Sequence, residues 1–327
     1  MLPLSAFAQQ KGGAPPGMTS VQLVDPIDGH GFQVFVPTSS NGLGGFDSDG
    51  CNYAKGQQPR QFEVATSPTT LFSAPIDGYR EEIPDNKKGA LAEMLLSLGR
   101  DVDNARTLSA ADRYELAAAV ARELGKDDFA VGEMYLQAAW TVRDTIVGFL
   151  PGVQGASDAW SKFVETVPLV KSVDNDRGKT IAFFDMARLA HRGGFVHERD
   201  DMLALSATVP EVGLDAERKR EEFARRVSDE ARLLGKARDS FRAGLASKVG
   251  TPADRAGYRF LVGDLSRRLG EFAAAKTELE GAEMDSAANE QTQTYARDVL
   301  AVLKVQATAR STGTDAATQD GVQTEAP

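Results

Sequence analysis

The chain contains a single cysteine, Cys51, in 327 residues. Neither an intramolecular disulfide nor a thiolate metal cage can be built from it. So few thiols agree with an oxidising compartment. No apolar run reaches the roughly 18–20 residues that a membrane-spanning helix needs. Positive charge is also short: Lys and Arg number 37 against 47 Asp and Glu, for a net charge of −10. That balance argues against a nucleic-acid partner, whose phosphates are neutralised by Lys and Arg, and against an anionic membrane surface. We read the acidity as a contribution to solubility. What is present is ordinary for a globular protein with a real core, with 42% hydrophobic and 26% charged residues. The length allows two domains, or one small domain and a helical array.

Leu2-Pro3-Leu4-Ser5-Ala6-Phe7-Ala8 resembles the last part of a secretory signal peptide. Ala6-Phe7-Ala8 forms the small-x-small cleavage site, although the basic and most of the apolar regions are lacking. Cleavage after Ala8 and a periplasmic or secreted location are expected, with a cytoplasmic one as the alternative. Residues 1–20 are therefore read as a signal-peptide remnant and flexible leader.

Residues 21–84 alternate β-branched or aromatic runs with Gly, Pro, Asn and Asp. Gly31–Val36 and Arg60–Thr66 read as strands, and residues 39–50 read as a loop. So few residues make a marginal core, and this segment is expected to lean on the helices C-terminal to it. Residues 85–309 read as helical. The period of Tyr114, Leu116, Ala117, Val120, Ala121 and Leu124 predicts a helix ended by Gly125. Partner helices are expected over Phe129–Phe149, Thr180–His191 and after Gly193-Gly194. A long charged helix is expected over Asp215–Lys248, then Tyr258–Leu269, Glu271–Glu283 and Gln291–Thr308. Residues 310–327, rich in Ser, Thr, Gly and Gln, read as a disordered tail.

Two turns in the β segment keep a particular spacing: Asp25-Pro26-Ile27-Asp28-Gly29 and Ser67-Pro68-Thr69-Thr70. The helices carry a second signal, small residues where two helices cross. The best copy runs Leu261-x-Gly263…Leu269-Gly270-Glu271-Phe272-x-x-Ala275-x-x-x-Leu279-x-x-Ala282, placing Gly263 and Ala275 at the close contact. Another runs Leu116…Gly125…Phe129-x-x-Gly132-x-x-x-Leu136-x-x-Ala139. A third, around Met186-Ala187 and Gly193-Gly194-Phe195, is degenerate because Glu198 stands at the small-residue position. With Leu136-Gln137-Ala138-Ala139-Trp140, these features resemble an uncharacterised bacterial family. In it, paired Cys-Pro-x-Cys-Gly zinc knuckles precede helices like tetratricopeptide repeats that carry an Ala-Ala-Trp motif. The resemblance covers residues 21–300 and implies a ribbon-like fold. Asp25, Asp28, Ser67 and Thr70 stand at the ligand positions without sulfur, so it implies no metal, and it supplies no activity. The expected architecture is α+β and mainly α, with a small ribbon-like β segment preceding antiparallel helical hairpins.

Zinc prefers thiolate and imidazole, and two carboxylates, two hydroxyls and nearby His30 do not make that set. Asp47-Ser48-Asp49-Gly50 offers hard oxygen ligands for calcium, but glycine falls at the fourth position and Cys51 at the fifth, a poor match to an EF-hand loop. A turn in which Asp side chains cap backbone amides is the competing reading. Gly42-x-Gly44-Gly45 is too short for a phosphate loop. His30, His191 and His197 read as surface or packing residues, and a Cys51 thiolate would be opposed by Asp47 and Asp49. No catalytic residue or cofactor is indicated. The expected function is therefore non-enzymatic interaction or scaffolding in a bacterial envelope, with a protein or peptide held on the helical surface. Tyr114, Tyr135 and Tyr258 are candidate contacts, core packing being their competing role. The alternative is a divalent-cation-dependent ligand binder or enzyme using the Asp47/Asp49 loop.

Overall fold

A computed structural model describes residues 14–99, 102–210 and 215–319. The expected cleavage site after Ala8 lies outside the described residues. Within them the chain is α+β and mainly α, with two two-stranded antiparallel sheets and ten α-helices. It divides into two compact units, and the division does not coincide with the β-to-helix boundary near residue 84. The first unit holds residues up to Phe46, Gly50–Gln154 and Glu211–Val249; the second holds Asp47–Asp49, Gly155–Pro210 and everything from Gly250.

In the first unit, β1 (Met18–Val24) pairs with β2 (Gly31–Pro37) through the Asp25–Gly29 turn. β1 thus begins within the stretch expected to be leader. β3 (Val64–Thr66) pairs with β4 (Ser73–Pro75) through the Ser67–Thr70 turn. The strand expected from Arg60 starts instead as a 3-10 turn over Pro59–Phe62. Pro59 favours that start, and Arg60 is buried with its guanidinium facing Cys51 and Asp144.

Next come α1 (Asp85–Ser97), α2 (Ala110–Glu123) and α3 (Asp128–Val147). Ser109 and Asp112 form a capping box on α2, and Asp127 caps α3 by accepting from the Ala130 amide. Leu23, Leu71, Phe72, Ile83, Leu91, Leu95, Leu116 and Val120 share one core, so the β segment does lean on α1 and α2. Each such side chain contributes about 1.5–3 kcal/mol on full burial. Phe32 and Phe72 both meet the Tyr79 ring edge-on, at 5.5 and 5.2 Å.

The long helix α7 (Asp215–Ala246) packs along α3 in this same unit. Glycines make the approach possible: a Cβ on Gly132 would lie 2.4 Å from the Phe241 ring, and one on Gly244 would lie 2.5 Å from the Phe129 ring. Gly132 therefore serves the α3–α7 crossing rather than a repeat contact with α2. Arg143 and Glu230 close this interface with a buried 2.7 Å ion pair.

The second unit contains α4 (Ala156–Lys171), α5 (Asp176–Gly193), α6 (Val196–Thr208), α8 (Pro252–Arg268), α9 (Phe272–Met284) and α10 (Glu290–Gln319). Neighbours pair as α4 with α5, α5 with α6, α8 with α9 and α9 with α10. Gly263 and Ala275 stand at the α8–α9 crossing as expected, a Cβ on Gly263 falling 2.7 Å from Leu279 Cγ; Ala275, Leu279 and Ala282 are fully buried. α10 continues past Arg310, where the sequence suggested a tail, and residues 320–327 lie outside the described residues.

Candidate binding cleft

The two knuckle-like turns are drawn together without a metal. Asp25 is fully buried. Its Oδ1 accepts from the Ile27 amide at 2.7 Å, and its Oδ2 accepts from Thr70 Oγ1 at 2.6 Å. This side-chain hydrogen bond, with a longer one from Thr69 Oγ1 at 3.5 Å, joins the first turn to the second. Ser67 is buried and bonds Thr69 Oγ1 at 3.0 Å, whereas Asp28 is exposed and accepts from the His30 amide at 2.8 Å. This donor set does not fit zinc: one ligand position points to solvent, and two others are already satisfied by each other.

Beside the clasp lies a cleft of about 770 Å³. Its walls come from β2, the 3-10 turn, β3 and the start of α2, with Pro15, Pro16 and Met18 at one side. Two strand edges face into it. The Asp25 amide donates to the His30 carbonyl at 2.9 Å and the Thr38 amide to the Gly17 carbonyl at 3.0 Å. With the register Leu23–Phe32 and Val21–Val34, antiparallel alternation turns the amides and carbonyls of Gly31, Gln33 and Phe35 away from β1. The Ser67 amide donates to the Phe72 carbonyl at 2.8 Å. The β3–β4 register then turns the main-chain groups of Val64 and Thr66 away from β4.

The charge lining this cleft is unusual for so acidic a chain. Among the described residues no Asp or Glu lines it, and the titratable side chains that do are His30 and Arg113. Arg113 donates to two backbone carbonyls, Leu108 at 3.3 Å and Gln61, while its Nε–H finds no acceptor. Burial lowers its pKa from the usual arginine value, with Tyr114 and Asp112 opposing. A guanidinium keeps its charge in proteins. Among the described residues, this cation of the cleft wall is answered by carbonyl dipoles rather than by a carboxylate in contact.

The loop considered for calcium is occupied otherwise. Asp47, Ser48 and Asp49 belong to the second unit, against the last turns of α5 and α8. Asp47 Oδ1 accepts from Arg192 at 2.8 Å, and Arg268 lies 3.5 Å from both Asp47 and Asp49. Ser48 donates to Asp264 at 2.7 Å, and Asp264 pairs with Arg267 at 2.8 Å and with Arg268 at 3.4 Å. Arg267 also donates to the Gly193 carbonyl at 2.8 Å, satisfying the end of α5. Burial raises the Asp264 pKa, but Arg267 and Arg268 more than offset this and leave it below the usual carboxylate value. Three carboxylates thus face three guanidiniums in the interior, and a cation would have to compete with arginines already in contact. Among the described residues no group of three His, Cys, Asp or Glu is arranged to hold a metal ion.

The three tyrosines do not form a surface. Tyr114 is buried with its hydroxyl on Glu63 at 3.2 Å, and burial followed by that carboxylate raises its pKa. Tyr135 is buried beneath Lys236, whose Nζ is 5.1 Å from the ring centroid. Tyr258, half-buried, lies in the second unit. Arg60 lies against the Cys51 sulfur at 2.7 Å; Tyr53 and Trp140 each lie 5.6 Å from that guanidinium. Gly44 and Gly45 serve close backbone approach, since a Cβ on Gly45 would sit 2.4 Å from Gln154 Cα. His191 meets Arg199 at 3.4 Å and His197 packs on Phe272 at 5.5 Å. His30, beside the first turn, lines the cleft. Sequence reasoning passed over Arg113, which reads as one more charge on a helix face.

No protein-family model, curated protein or solved structure matches this chain. No helix among the described residues is long and apolar enough to cross a membrane.

Proposed function

We propose that the protein is a non-enzymatic binding protein of the bacterial envelope that holds a segment of another polypeptide in the cleft of its first unit. The observation that carries this reading is the cleft itself, about 770 Å³ and bordered by the outward edges of β2 and β3. Strand edges left unpaired among the described residues offer main-chain hydrogen bonds to an added chain, a recurring mode of peptide recognition. The site sits on the β segment, so the helical surface first expected to bind becomes scaffold. The TPR-like reading of the helices draws support from the Gly263–Leu279 approach, and the envelope location rests on Ala6-Phe7-Ala8.

Selection from a displayed library of random heptapeptides against the full chain tests the reading. Gly31 lines the cleft, and a Cβ built there meets nothing within 4 Å. Gly31→Trp should therefore be tolerated at its Cβ and place an indole at the cleft. Heptapeptides that bind the parent chain and lose binding to Gly31→Trp support the proposal. An empty selection, or clones indifferent to Gly31→Trp, overturns it.

A further inference from the structure

Resting on that reading, we infer that the occupant is an extended peptide that adds as a strand along β2 and β3 and places an acidic side chain on Arg113. Two separate features of the cleft point to this occupant. The first is the pair of strand edges. Gly31, Gln33 and Phe35 on one wall, and Val64 and Thr66 on the other, turn their main-chain donors and acceptors into one cleft. Alternate residues of an added strand would bond to such an edge, and the residues between them would point to the side-chain walls.

The second observation is charge. In a chain with net charge −10, the described residues of the cleft lining include a guanidinium and no carboxylate. The hydrogen bonds of Arg113 go to the carbonyls of Leu108 and Gln61, and among the described residues no carboxylate is in contact with it. Fixed near the capped start of α2, it offers a planar donor group that suits a carboxylate. A neutral peptide would leave this cation as it stands. An acidic residue would supply its missing partner in a site partly shielded from water.

The same heptapeptide selection provides the test, with binding of the enriched peptides then measured by titration. Enrichment of Asp or Glu at one position is expected. A Gln-for-Glu peptide should bind the parent chain about tenfold or more weakly, equivalent to about 1.4 kcal/mol or more. With Arg113→Gln the two peptides should bind alike, while Arg113→Lys retains part of the preference. Gln33→Pro serves as a second variant. It removes an amide that faces the cleft and leaves the β1 ladder intact, since edge strands tolerate proline where the N–H points outward. It should abolish binding with an unchanged circular dichroism spectrum. Peptides blocked by Gly31→Trp yet showing no acidic position, or binding Arg113→Gln with undiminished preference, overturn this inference and leave the binding reading standing. Acidic peptides that bind Gln33→Pro as well as the parent chain overturn the added-strand geometry. Failure to enrich any peptide overturns both.

Discussion

Thr70→Val is the perturbation that most directly probes how the β segment does without a metal. Asp25 is fully buried, and the Thr70 hydroxyl at 2.6 Å is the principal donor to its Oδ2; Thr69 Oγ1 lies 3.5 Å away. Valine keeps the shape and removes the donor, leaving a buried carboxylate oxygen with little compensation. A hydrogen bond to a charged group contributes about 1.5–3 kcal/mol net, and leaving a buried acceptor unsatisfied costs about as much. A loss of about 2–3 kcal/mol is therefore expected, on the same scale. Part of it comes from the Phe72 amide, which donates to Thr70 Oγ1 at 3.1 Å. Thr70→Ser keeps the hydroxyl and should stay within about 1 kcal/mol of the parent. Urea denaturation would give the global value. Hydrogen exchange at the Ile27 and Phe72 amides would localise it, which matters because two compact units need not unfold in one step. In a double-mutant cycle with Asp25→Ala, the coupling should be about 1.5–3 kcal/mol. A coupling below about 0.5 kcal/mol would refute the clasp, since contacts that do not interact are additive to about that level.

Other sites give three further expected outcomes. Asp264→Asn unbalances the buried cluster of Asp47, Asp49, Arg192, Arg267 and Arg268 and should destabilise the second unit by about 3–5 kcal/mol by chemical denaturation. Gly263→Ala forces a methyl to within 2.7 Å of Leu279 Cγ and should cost about 1–3 kcal/mol, whereas the same change at exposed Gly89, which meets nothing within 4 Å, should cost nothing. Burial raises the Glu115 pKa, but hydrogen bonds from Arg232 and Lys236 outweigh it and bring the value to about 2. Because the folded value lies below the unfolded one, this stabilisation is present above about pH 4.3 and is lost as pH falls toward 2. After discounting for the exposed cations it is worth about 1 kcal/mol. Glu115→Gln should therefore lower stability at pH 7 and leave it unchanged near pH 2 in pH-dependent melting.

Legibility in the sequence tracked periodicity. β2 and the helices from α2 onward, α4 excepted, are readable because their apolar positions repeat at strand or helix spacing, as in Tyr114, Ala117, Val120 and Leu124 of the α2 region. α4 was missed because Pro168 stands inside it, and α1 because only Leu91 and Leu95 mark its buried side. The Asp25 and Thr70 positions were picked out by spacing, although the hydrogen bond between them was not foreseen. The Asp47/Asp49 loop shows the limit of local patterns. Its oxygens suit calcium or arginine equally, and the choice is made by Arg192, 145 residues further along the chain. The cleft was invisible for the same reason: its walls come from separated segments, and no short motif unites Gln33, Thr66 and Arg113.

The first unit is proposed to bind an extended polypeptide along its strand edges. Amide hydrogen exchange of Gly31, Gln33, Phe35, Val64 and Thr66, measured with and without a selected heptapeptide, tests it most directly. Marked slowing at some of these five positions, with the already paired Phe32 and Val34 unchanged, is the predicted result. Protection elsewhere in the chain with these five unaffected would contradict the account.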